Sequence, residues 1–317
     1  MEGPTTGWSS GSVLGAFAIG LALLAAFLWW EGRTDHPMLD IDFFRNPRFS
    51  AASAAITLTF MALMGVIFGL TQYLQSVQGF SPLEAGAVLL PMSAVMMVMA
   101  PTSAHIVEWA GTKLVLGTGL LIVAVALTLQ SLLQVDTATV VIILMSMLLG
   151  LGMSNVMAPA TESIMGSLPR AKAGVGSAVN DTTRQMGGAL GVALIGSLLS
   201  TRYQSDVDAG LGGARNVSSE LLDHVGANVQ AGVNIGRGTP APLGDRIVDV
   251  AHHAFLSGYH LAVLVAAGIT LLAAIGVFRW LPARAATPTE APAPDEARAD
   301  GDEAQGLEPA IEGATSG

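Results

Sequence analysis

Long uncharged apolar runs separated by short polar connections dominate the chain. A helix needs about 20 apolar residues to cross a hydrocarbon core about 30 Å thick. Seven runs reach that scale. They predict helices over 13–30, about 50–74, about 82–104, about 113–133, about 138–160, about 174–200 and about 254–280. Trp8, Trp29 and Trp30 flank the first run as interfacial anchors do. Ser81-Pro82-Leu83-Glu84 reads as a capping box that starts the third. Pro91 and Pro101 are expected to kink or end that helix. Between the sixth and seventh runs, 201–253 carries Gly, Asn and Pro throughout and reads as a long loop.

Composition agrees with the pattern: 51% of residues are hydrophobic and 12% charged, which excludes an ordinary soluble globule. Cysteine is absent, so disulfides, thiolate chemistry and Cys-ligated metals are excluded. The net charge of -10 owes much to the segment 282–317, where eight carboxylates face two arginines. That Ala-, Pro- and acid-rich tail has too little apolar surface to offset ordering entropy and is expected to be disordered. No basic patch suggests nucleic acid, and no Gly-x-x-x-x-Gly-Lys loop suggests ATP hydrolysis. His252, His253 and His260 have no completing ligand spacing, so no metal or other cofactor is expected, and no enzymatic activity.

Cations in the short connections set orientation. Arg33, Arg45, Arg48, Lys113, Arg170, Lys172, Arg279 and Arg284 all fall on one side, which is then the cytoplasm. Residues 1–12 would lie outside, 31–49 would form a cytoplasmic loop, and the C-terminus would be cytoplasmic. An outside start with an odd span count is the pattern expected of a truncated chain.

Chemistry concentrates in Gly174 to Gly191, GVGSAVNDTTRQMGGALG. A charge near the bilayer centre costs roughly 2.5 to 3.5 kcal/mol on insertion scales, so Asp181 and Arg184 should face a bundle interior or a water-filled path. Their i, i+3 spacing puts them close enough to pair or to bond Asn180 and Gln185. They could be a structural lock between helices, or a proton-coupling group with its modulator. Gly187 and Gly191 form a GxxxG face, with Gly188 beside it and Gly176 about three turns earlier, suited to close helix approach. Asn155 needs a bonding partner in lipid, Pro159 can act as a hinge, and Gln72 can line a cavity.

The sequence resembles the 14-span drug:proton antiporter-2 family of the major facilitator superfamily. The resemblance rests on the junction Gly7-Trp8-Ser9 with Glu31 to Phe49 and on Ser81-Pro82, Ala85-Gly86 and Pro91. Above all it rests on Gly176, Ser177, Ala178, Asn180, Arg184, Gln185, Gly187, Gly188 and Gly191. It implies an all-α membrane protein of about seven spans, with 13–30 a linker helix and 50–281 a six-helix bundle of two inverted three-helix repeats. This would be the C-terminal half of a multidrug exporter. Its partners would be the lipid bilayer of the cell membrane, protons, hydrophobic or cationic small molecules, and a missing N-terminal half. Residues 104–113 occupy the place of a cytoplasmic latch motif in degraded form, with Glu108, Gly111 and Lys113 retained. The rival readings are a seven-span photoreceptor, which lacks the needed lysine in its last span, and a non-transporting membrane scaffold.

Overall fold

Ser81 opens its helix with reciprocal bonds. Its backbone N–H donates to the Glu84 carboxylate at 2.8 Å, and its hydroxyl accepts from the Glu84 N–H at 3.3 Å. The structure is a computed structural model that describes residues 11–34, 41–169, 172–213 and 217–281. The acidic tail 282–317, residues 1–10 and Arg170 lie outside the described residues.

The described α-helices are α1 Gly11–Glu31, α2 Pro47–Gln72, α3 Pro82–Ala110, α4 Thr112–Gln130, α5 Thr139–Met165, α6 Ala173–Leu211, α7 Ser219–Gly226, α8 Val229–Gly238 and α9 Leu243–Trp280. A short 3-10 helix, Ile41–Arg45, precedes α2, and a π-helical turn, Tyr73–Val77, ends it. Among the described residues there is no strand.

Six of these helices, α1 to α5 and α9, are long and apolar enough to cross a membrane. The seventh expected span, α6, has the length at 39 residues but is too polar to join that set. It nevertheless packs along α2 and α9. Its polar content is the chemistry that made it a candidate site.

Helices α2 to α6 and α9 run up and down between two ends, called here the Lys113 end and the Gln134 end. α2 lies against α6 as α3 lies against α5, and α9 lies against α2 as α4 lies against α5. α4 also meets α9, and α2 meets α5. Lipid tails are as apolar as leucine, so dispersion contacts and close backbone approach hold such a bundle together. Small residues at the crossings permit it. At Gly150 an added Cβ would stand 2.7 Å from the Met92 carbonyl oxygen, which brings the α5 backbone onto α3. α1 stands apart, with Leu21, Leu23 and Trp30 66%, 67% and 66% exposed.

Two expectations need correction. α3 does not end at Pro91 or Pro101 but continues to Ala110. Each proline removes one backbone bond, but Ala85, Val88 and Met92 seat the helix on its neighbours, and the helix is retained.

The supposed loop after residue 200 is largely helical. α6 continues to Leu211, α9 already begins at Leu243, and α7 and α8 lie between them. Ser218 and Asn228 cap α7 and α8 by accepting the N–H of Leu221 and Ala231. Val225, Val229 and Val233 bury a stripe in the same cluster as Tyr203, Val207 and Ile247. Helices of 39 and 38 residues measure nearly 60 Å, about twice a hydrocarbon core, so the extra turns are free to build this cap.

Candidate functional site

On α6, Asn180 and Arg184 are one turn apart on the inward flank. Asp181 and Gln185 are one turn apart on the exposed flank. Asp181 and Arg184 do not pair. Arg184 Nη2 instead donates to Thr161 Oγ1 of α5 at 2.9 Å, and the Thr161 hydroxyl donates to Asn180 Oδ1 at 3.5 Å. The Arg184 guanidinium carbon lies 5.5 Å from the centre of the Phe60 ring on α2. A hydroxyl and an aromatic face therefore stabilise this cation, without a carboxylate. Arg184 Nε is buried with no hydrogen-bond partner among the described residues.

The pairing expected from spacing fails because an i, i+3 relation fixes proximity on a helix surface, while packing decides which flank a long side chain follows. Sequence reasoning passed over Thr161 and Phe60. A hydroxyl inside an apolar helix near Pro159 was the available signal for Thr161. Nothing in the sequence singled out Phe60.

Asp181, with Ser177, Thr182 and Gln185, leaves a polar stripe exposed on α6. Further along the same helix, α6 is built for contact. A Cβ on Gly187 or Gly191 would strike the carbonyl oxygens of Thr57 and Met61 on α2, and one on Gly188 would lie 3.0 Å from Met64 Cγ. At the start of α6, a Cβ on Gly176 would stand 2.7 Å from Leu168 Cδ1. α6 thus packs on α2 through its glycines, is pinned to α5 by Arg184, and leaves Asp181 and Gln185 exposed.

Asn155 is buried, but its side-chain amide donates to Leu151 O of its own helix at 2.9 Å, and its backbone packs on Gly119 of α4. The partner it requires in lipid is thus intrahelical, and it does not reach toward α6. Pro159 is buried in an α5 that continues to Met165. Gln72 is half-buried in the last turn of α2.

At the Lys113 end, Gly111 joins α3 to α4 with φ 83°, a conformation that costs any residue with a Cβ. Glu108 is exposed and Lys113 half-buried, and neither enters an ion pair among the described residues. The histidines are engaged separately. His252 bonds Ser76 O at 3.2 Å, His253 lies 3.4 Å from Asp249, and His260 bonds Leu133 O at 2.7 Å.

Against this geometry, a family model described as the Major Facilitator Superfamily matches residues 5–192, more than half of the chain. The chain belongs to the Major Facilitator Superfamily. As a superfamily member with six described helices long and apolar enough to cross a membrane, it is a multi-pass membrane protein. It is similar to the tetracenomycin C resistance and export protein of Streptomyces glaucescens, 33% identical over 86% of this chain and 52% of that protein. It is also similar to the multidrug efflux pump LfrA of Mycolicibacterium smegmatis, 31% identical over 84% of this chain and 52% of that one. The multidrug resistance protein Stp of Mycobacterium tuberculosis is 28% identical over 89% and 53%. The chain spans about half the length of these curated relatives.

Proposed function

We propose that this superfamily chain is one six-helix half, with a linker helix, of a proton-coupled multidrug exporter of the 14-span antiporter type. It works at the cell membrane against a second bundle and moves hydrophobic or cationic small molecules by alternating access. The observation that carries the reading is the split on α6. A carboxylate, Asp181, stands exposed among Ser177, Thr182 and Gln185 a little over two turns into α6, while Arg184 is turned inward. A polar stripe of that kind is unfavourable against lipid, so it belongs to a water-filled path or an interface with another bundle.

Supporting the half-transporter reading, the relatives covered over about half their length are named for drug resistance or efflux. The packing also repeats itself. Exchanging α2, α3, α4 with α5, α6, α9 turns the α2–α6 contact into the α5–α3 contact and the α9–α2 contact into the α4–α5 contact. That is the relation expected of two inverted three-helix repeats. In this reading the cation-rich Lys113 end is cytoplasmic, as is the C-terminus, and the Gln134 end is outside.

Within the path, Asp181 exchanges the proton, with Gln185 beside it. Arg184 and Asn180 hold α6 to α5 through Thr161. Gly176, Gly187, Gly188 and Gly191 give α6 the surface on which it packs and slides. Glu108, Gly111 and Lys113 form the cytoplasmic latch, Gln72 borders the outer mouth, and Asn155 and Pro159 shape α5 around the cavity.

The test is protonophore-sensitive efflux of a fluorescent cation from cells expressing the chain, alone and together with a superfamily N-terminal bundle. Asp181→Asn should abolish the proton-linked component while leaving membrane abundance intact. Proton-linked efflux by Asp181→Asn at the rate of the parent would remove Asp181 from the mechanism.

A further inference from the structure

The last turn of α2 is wound differently from the rest of the helix. In the π-helical turn Tyr73–Val77, the Gln78 N–H reaches back five residues to Tyr73 O at 3.0 Å. The Phe80 N–H then bonds Leu74 O at 3.0 Å, past Gly79 at φ 73°. Such turns are rare inside α-helices and frequently sit at functional sites.

Here the side chain is Gln78. Its amide nitrogen lies 2.7 Å from the Tyr73 hydroxyl, 3.3 Å from Val135 O and 3.2 Å from Thr137 O. The Tyr73 hydroxyl passes its own hydrogen on to Gln134 O at 2.6 Å. Because the amide faces two backbone carbonyls, only the nitrogen can point that way, and a flipped amide would set oxygen against oxygen. Tyr73 is fully buried, with its ring stacked on Tyr259 at 6.3 Å between centres. On the other side of the same turn, His260 bonds Leu133 O. The backbone carbonyls of the α4–α5 connection are thus gripped from α2 and from α9.

We infer that Gln78 is a positioning residue whose side-chain amide, with Tyr73, clamps the α4–α5 turn onto the end of α2, so that the Gln134 end of the bundle moves as one body. The clamp joins the first helix of each three-helix set at one end. At the Lys113 half, the bond between α6 and α5 rests on Arg184 and Thr161. The inference concerns the bundle itself and stands whatever the chain transports.

The chain has no cysteine, so a single Leu74→Cys change gives a clean reporter at a fully buried position of the π-helical turn. Purified full chain in detergent is labelled with a maleimide, and each rate is divided by that of the Gln78 parent at the same pH. Q78E replaces the donor by a carboxylate facing carbonyls, and labelling at pH 8 should rise about tenfold. At about pH 5 and below, where the carboxyl begins to protonate and regains one donor, the ratio should fall back. Tyr73→Phe keeps the stacked ring and loses the hydroxyl, so its ratio should rise equally at both pH values.

A ratio near one for both variants, or a Q78E ratio that ignores pH, overturns the clamp. If Leu74→Cys impairs folding, amide hydrogen exchange over residues 133–137 in cysteine-free Q78E decides. Faster exchange than in the parent supports the clamp, and unchanged exchange overturns it.

Discussion

Arg184 Nη2 and Thr161 Oγ1 meet at 2.9 Å across the α6–α5 boundary, although 23 residues separate them in the chain. This bond, with the Phe60 ring at 5.5 Å, is what a half-buried guanidinium has in place of a carboxylate. Thr161→Val preserves the shape of the side chain and strands the donor. A hydrogen bond to a charged group contributes about 1.5 to 3 kcal/mol, so the variant should lose stability on that scale in a thermal melt in detergent. Thr161→Ser should keep most of it. Equal melting of Val and Ser variants would mean the bond contributes nothing.

The glycine flank of α6 makes a contrasting pair. Gly191→Ala drives a methyl group into the Met61 carbonyl and should destabilise by about 1 to 3 kcal/mol, the usual cost of overpacking. Gly174→Ala meets nothing within 4 Å and should be neutral or gain up to about 1 kcal/mol from helix propensity. The two melts, taken side by side, check the docking of α6 on α2.

Gly111 is constrained by its backbone. With φ 83° and ψ 151° at the α3–α4 joint, Gly111→Ala should cost about 1 to 3 kcal/mol. Gly86→Ala, in the interior of α3 with open space around it, should be neutral or stabilising, and the comparison is again a pair of thermal melts.

Tyr203 ties the added helices to α6. Its hydroxyl donates between Val225 O at 2.9 Å and Asn228 O at 3.3 Å, at the α7–α8 joint. Tyr203→Phe should raise hydrogen exchange across 219–238 while leaving α2 to α5 unchanged. Exchange that stays at the parental level would show the cap to be held by its valine stripe alone.

The apolar runs made most of the bundle legible because a membrane helix has to be apolar along a continuous length. The start of α3 was legible for a different reason: Ser81 and Glu84 satisfy each other locally, and nothing distant is needed. Local signals existed for α7 and α8 too, in Ser218 and Asn228 and in valines four residues apart, but many glycines masked them. The partner of Arg184 was beyond reach. Helical spacing offered Asp181 as a neighbour on the same helix, and only the packing of three helices puts Thr161 and Phe60 closer. Asn155 shows the converse, since its apparent need for a distant partner is met by Leu151 one turn away.

The crossing at Gly258, where a Cβ would stand 2.9 Å from Leu199 O, lies a little before the midpoint of α9. The 22 residues from there to Trp280 make a rigid arm about 33 Å long. Rotating such an arm by about 10° about that crossing displaces its tip by roughly 6 Å, more than the rise of a full helical turn. Because Ala266, Thr270, Ala274 and Val277 are buried along that arm, such a tilt has to carry the neighbouring helices with it, and mechanical advantage of this kind then relocates Arg279 by more than the contacts around Tyr259 move.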